Sequence, residues 1–161
     1  MAAGGERELH ITPLVGTDDA TIDSKGRILL GKKKRDRLGD TFAMTIGSLG
    51  CICVYPGDRW QEILKEINES SPNNQGRREY AELFLEYADY DLSCDTQGRV
   101  VIPQTLREEG KLSDKVLLRG CFDHLQIWDP EEHAKYRLNR DAYNKERRTS
   151  FEGAYDEMKK S

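Results

Sequence analysis

Residues 23–30 read DSKGRILL and residues 95–102 read DTQGRVVI. Each stretch carries Asp-x-x-Gly-Arg followed by a run of strand-forming residues. Five matching positions are a cheap coincidence, so the flanks decide whether the chain is duplicated. At an offset of 72, Asp23, Gly26, Arg27, Ile28 and Arg35 fall on Asp95, Gly98, Arg99, Val100 and Arg107. One inserted residue later, Gly47, Ile52, Val54 and Tyr55 fall on Gly120, Leu125, Ile127 and Trp128. The chain is therefore an internal duplication, and each copy is one supersecondary unit that cannot close a core alone.

Local chemistry outlines the unit. Strand-like TID enters the turn SKG, where Gly26 can take positive φ, and RILL leaves as a second strand, so the motif is read as a hairpin turn with Asp before it and Arg after it. In the second copy Pro103 ends VVI, and QTLREEG reads as one or two helical turns closed by Gly110. VLLRG and HLQIW then match FAMTIG and CICVY as strands. Between the copies, Trp60, Ile63, Leu64 and Ile67 recur at helical spacing, with Asp58 as the expected N-cap. SSPNNQG breaks that helix, and Tyr80, Leu83, Phe84 and Tyr87 mark another. The tail mixes both charge signs, with Tyr136, Tyr143, Phe151, Tyr155 and Met158 as its few apolar positions. The expected divisions are 1–16, a disordered extension; 17–70, the first unit and its helix; 71–90, a connecting loop and helix; 91–137, the second unit; and 138–161, a charged helix or tail.

Composition narrows the function. The 161 residues carry a net charge of −4 with 34% charged side chains, which indicates much solvated surface. Charge is sorted into blocks: residues 24–37 hold seven Lys or Arg against Asp36 alone, whereas residues 79–98 hold six acids and no base. Such sorting gives an acidic protein a local basic footprint. No apolar run approaches bilayer length and the N-terminus has no apolar signal core, so a cytoplasmic location is expected. The cysteines, Cys51, Cys53, Cys94 and Cys121, lack the close-spaced pairs usual for zinc, even with His124 added. Cys51 and Cys53 in CICVY read as buried strand thiols.

The two D-x-x-G-R motifs, VIPQTLR at 101–107, YPGDRW at 55–60 and IWD at 127–129 together resemble the MraZ family of tandem SpoVT–AbrB domain proteins. The resemblance runs from about residue 17 to about residue 137. It implies a mainly β, α+β fold in which two swapped-hairpin units form a pseudo-two-fold barrel with flanking helices. It also implies a ring-forming, nucleoid-associated transcriptional regulator that binds short direct repeats in double-stranded DNA upstream of a division and cell-wall gene cluster. No cofactor, metal, membrane or small-molecule substrate is implied. Three features depart from the family pattern: some fifteen residues precede the first strand, Lys32, Lys33 and Lys34 stand where an apolar helical turn is expected, and His133 stands where the first copy has Trp60.

Arg27 and Arg99 are the expected DNA contacts, because a guanidinium held at a turn can meet phosphate or bond twice to a guanine edge. Asp23 and Asp95 would support the turn or the arginine, with Gly26 and Gly98 permitting the bend. Lys25, Lys32, Lys33, Lys34, Arg35 and Arg107 complete the expected set as phosphate contacts. Gln97 replaces Lys25 in the second copy, which makes that face less basic. Two other classes compete: an AbrB-like antitoxin or interaction module whose acidic segments grip a basic partner, and an enzyme using Asp23 and Asp95 as an acid–base pair. The sequence offers no nucleophile–base arrangement or phosphate loop for the latter.

Overall fold

The computed structural model describes residues 11–160, and the expectation for residues 1–10 lies outside them. In the first copy, β1 (Thr17–Thr21), β2 (Arg27–Leu29), α1 (Lys32–Leu38), β3 (Phe42–Ile46) and β4 (Ile52–Pro56) follow one another. Two helices, α2 (Gly57–Glu69) and α3 (Gln75–Leu85), lead to the second copy. There β5 (Asp89–Leu92), β6 (Arg99–Val101), α4 (Gln104–Glu109), β7 (Lys115–Gly120) and β8 (Leu125–Trp128) repeat the order, and α5 (Pro130–Leu138) and α6 (Lys145–Lys159) close the chain.

Strand pairing explains why neither copy stands alone. The large antiparallel sheet runs β1-β7-β8-β4-β3-β5, and β2 pairs with β6 in a separate two-stranded ribbon. Exchanging the copies reverses the first order and leaves the second unchanged, so a pseudo-two-fold axis passes between β4 and β8. There Ile52 faces Ile127 and Val54 faces Leu125. The sheet is open rather than closed into the expected barrel, with β1 and β5 at its edges.

Each motif closes the expected tight turn, with Asp23 N donating to Arg27 O at 2.9 Å and Asp95 N to Arg99 O at 2.8 Å, but the flanking strands do not pair with each other as a hairpin. β1 pairs with β7 and β2 with β6, so both flanks of DSKGR find partners in the other copy. Three-residue β2 and β6 cannot stand as isolated strands, and pairing them buries Ile28 and Val100 into one core with Ile52, Leu106, Leu118 and Leu125. Residues 11–16 also depart from the disorder expected of them: Leu14 is buried and exchanges backbone hydrogen bonds with Phe122 at 2.8 and 2.9 Å.

A second core gathers the helices. Trp60, Ile63 and Ile67 of α2 meet Phe84 of α3 and Phe151 and Met158 of α6. The expected α2 stripe is present, but Asp58 lies in the first turn and Pro56 is the N-cap. The backbones of α3 and α6 cross closely at Gly76, where a Cβ would lie 2.5 Å from the Met158 nitrogen. The C-terminal segment is thus a packed part of this molecule.

His133 fills the Trp60-equivalent place by packing edge-on against Trp128, with centroids 5.2 Å apart. It is only 7% exposed and its Nε2 has no hydrogen-bond partner among the described residues. Burial, then Arg119, Arg137 and Arg140, lowers its pKa below the ordinary 6.5. The unfolded chain therefore binds the proton more readily, and stability is lost as pH falls below about 6.5. His133→Leu removes both the orphaned nitrogen and the titration, and is expected to add about 1 kcal/mol at pH 7 and more at pH 5. Urea titrations at the two pH values check this; a variant with an unchanged acid slope would exclude His133 as its source.

Candidate nucleic-acid interface

Each motif builds its turn from the aspartate. Asp23 Oδ1 accepts from the backbone nitrogens of Lys25 and Arg27, both at 2.9 Å, while Oδ2 accepts from Arg27 Nε at 2.8 Å. Asp95 repeats this with Gln97 and Arg99 nitrogens at 2.9 Å and Arg99 Nε at 3.0 Å. Gly26 and Gly98 close the turns at φ of 79° and 83°. Both carboxyls lie below the usual aspartate range, chiefly because the arginine backbone N–H donates to them. Both therefore stay ionised at neutral pH and hold their arginines by charge-assisted bonds.

The ribbon brings the two arginines together. Arg27 faces Val101 across it and Leu29 faces Arg99, so these four side chains share one face while Ile28 and Val100 point into the core. Leu29 is 60% and Val101 50% exposed. The outward face therefore has two guanidinium groups at opposite corners and two open apolar side chains at the others. Sequence reasoning gave no sign of Leu29 and Val101, because β-branched or aliphatic residues in a short strand read as core.

Cross-bracing ties each turn to the other copy. Leu30 N donates to Gly98 O at 3.0 Å, and Ile102 N to Gly26 O at 2.8 Å. Arg35 Nε donates to Leu30 O at 3.0 Å and its guanidinium lies against Gly98; Arg107 does the same with Ile102 O at 2.9 Å and Gly26. These two arginines brace the turns and stay partly exposed, as Arg27 and Arg99 do.

The lysines divide similarly. Lys25, Lys32 and Lys33 are exposed, with Lys32 Nζ 2.8 Å from Asp36 Oδ2. Lys34 is 8% exposed and its Nζ lies 2.6 Å from Asp18 Oδ2 on β1. The 72-residue offset explains this, since Lys34 corresponds to Leu106, a fully buried core residue. Asp18 is largely exposed, so removing Lys34 leaves no buried charge unpaired, while leucine spares the cost of burying the ammonium group. Lys34→Leu is accordingly expected to keep or raise the melting temperature and to leave DNA affinity unchanged; a tenfold loss of affinity would instead place Lys34 at the nucleic acid.

The fold and site together define a tandem-repeat α+β protein whose twin Asp–Arg turns meet on a shared ribbon. A sequence model of the family described as "MraZ protein, putative antitoxin-like" matches residues 14–81 and 87–151. Proteins called Transcriptional regulator MraZ are similar over most of the chain. That of Lachnoclostridium phytofermentans is 35% identical over 117 residues, 73% of this chain and 82% of its own. Those of Caldanaerobacter subterraneus subsp. tengcongensis and Cutibacterium acnes are each 34% identical, spanning 80% and 76% of this chain and 89% and 85% of their own. The chain belongs to the MraZ family of transcriptional regulators. The match extends beyond residue 137 into α6. Among the described residues, no helix is long and apolar enough to cross a membrane.

Proposed function

We propose that the chain is a sequence-specific, non-enzymatic DNA-binding regulator, and that the β2–β6 ribbon with its two turns reads the duplex. The observation that carries this is the shared outward face of Arg27, Arg99, Leu29 and Val101. A two-stranded ribbon fits the major groove, where arginine can bond twice to guanine and an apolar side chain can meet the thymine methyl. Each aspartate engages Nε and so leaves the terminal nitrogens of the fork for an outside acceptor. Lys25, Lys32 and Lys33 supply phosphate contacts from the first copy, Arg35 and Arg107 add to them while bracing the turns, and Lys34 belongs to the core.

Several copies in a homo-oligomeric ring would present successive ribbons to short direct repeats upstream of a division and cell-wall gene cluster, and avidity would offset the net negative charge. The protein would then be cytoplasmic and nucleoid-associated. Anisotropy titrations against such upstream DNA and a scrambled duplex test the reading. Tighter binding to the repeats, weakening steeply with salt, is expected; equal affinity for both duplexes would overturn it. The matched family's antitoxin-like description supports a second reading, capture of a basic protein, which co-purification of such a partner without DNA would favour.

A further inference from the structure

The two ends of the β2–β6 ribbon are not alike. Carrying its register one pair further at each end sets Gly26 against Ile102 and Leu30 against Gly98, and the bonds from Ile102 N to Gly26 O and from Leu30 N to Gly98 O close those ends. Gly26 to Leu30 is four residue steps, about 13 Å of strand, which matches about four base-pair steps of a duplex. The DSKGR turn therefore caps one end of the outward face and the DTQGR turn the other. At the 72-residue offset Lys25 at one end corresponds to Gln97 at the other. Both residues are exposed, and both turns hold them alike, each backbone nitrogen donating to the motif aspartate at 2.9 Å. Neither side chain has a partner among the described residues.

The helices sit at exchanged ends. α1 follows Leu30 and its Arg35 lies against Gly98, so the exposed Lys32 and Lys33 stand at the Gln97 end. α4 follows Ile102 and its Arg107 lies against Gly26, which puts Gln104 and Glu108, hydrogen-bonded at 3.2 Å, beside Asp23 at the Lys25 end. The end with the neutral turn residue thus has the lysines near it, the reverse of the expectation drawn from the sequence.

We propose that Gln97 gives the ribbon a direction on DNA, by reading one adenine edge in the major groove next to the base contacts of Arg99. The inference rests on the ribbon being seated in the groove by Arg27 and Arg99. A carboxamide has both an acceptor and donors, so it matches adenine N6–H and N7 at once. The Lys25 ammonium has donors alone, cannot accept from adenine N6, and meets a phosphate oxygen on its flexible stem. A ribbon with true two-fold symmetry would bind equally well either way round and would match a palindrome. With a base specified at the Gln97 end and only a phosphate met at the Lys25 end, one orientation is favoured, as direct rather than inverted repeats require.

The test is in vitro selection from a randomised duplex library with the full-length protein, followed by anisotropy titrations of the selected duplex and its single-base-pair variants. The wild type is expected to select an asymmetric motif with an adenine at one edge. Gln97→Ala is expected to lose the preference at that base pair alone, a drop of roughly 5-fold to 150-fold in discrimination there. Gln97→Glu, which can only accept, is expected to move the preference at that position from adenine toward cytosine. Lys25→Ala is expected to weaken binding to every duplex alike and to lower the salt slope by about one. All three variants keep the backbone hydrogen bonds of their turns, and circular dichroism confirms folding. A specific wild-type motif that Gln97→Ala leaves unchanged, or a palindromic motif, would overturn this inference while leaving the ribbon as the DNA reader. The absence of any selected motif would overturn both.

Discussion

Replacing Arg27 and Arg99 together by alanine is expected to abolish sequence-specific DNA binding while leaving the protein folded. Each arginine that bonds twice to a base contributes about 1–3 kcal/mol of discrimination, so the pair contributes about 2–6 kcal/mol. That corresponds to a loss of roughly 30-fold to 10⁴-fold in affinity for the specific duplex. The turns themselves should persist, because the backbone nitrogens of residues 25, 27, 97 and 99 still donate to Asp23 and Asp95. The lost Asp–Arg pairs are partly exposed and screened by solvent, so the melting temperature should fall only slightly. Lysine at the two positions keeps the charge without the fork, so Arg27→Lys with Arg99→Lys should retain salt-dependent binding and lose the preference for sequence. Anisotropy titrations of the variants against specific and scrambled duplexes, beside their melting curves, separate these outcomes.

Gly98→Val is the second large effect, and it reaches the site through the fold. Positive φ costs a side chain with a Cβ about 1–2 kcal/mol, and β-branching adds to that. A Cβ at this position would also lie 2.9 Å from Arg35 Nε, so the arginine that braces the turn from the other copy must withdraw from Leu30 O. A loss of about 2–4 kcal/mol of stability is expected, with weakened DNA binding as the turn shifts. Gly153→Ala is the control: it lies inside α6 without positive φ and a Cβ there meets nothing within 4 Å among the described residues, so stability should be kept or raised by up to about 1 kcal/mol. Urea titration of both variants checks the difference, and equal stabilities would remove the turn geometry as its cause.

The duplication, the helical turn after VVIP and the paired Asp and Arg were legible in the sequence because each rests on short-range spacing. The partnering of strands was not, since nothing local to DSKGR tells β2 that its partner is β6, and the hairpin reading followed from the turn alone. Lys34 shows information present but unused: its alignment with Leu106 marks a core position, whereas its neighbours KKK mark a basic surface. Packing of α6 was only partly legible. Phe151, Ala154 and Met158 stand at i, i+3 and i+7, but the close crossing at Gly76 depends on a glycine that reads as part of a helix break. The shared face of Leu29 and Val101 depends on how the two copies meet, which no single copy encodes.

The central claim is that the two Asp–Arg turns and their shared ribbon meet the duplex. Hydrogen exchange measured on the protein with and without upstream repeat DNA tests it most directly. Slowed exchange concentrated in residues 23–29 and 95–101 is expected, with the helical core of α2, α3 and α6 unchanged. Slowed exchange confined to other surfaces, with both turns exchanging as in the free protein, would contradict the account.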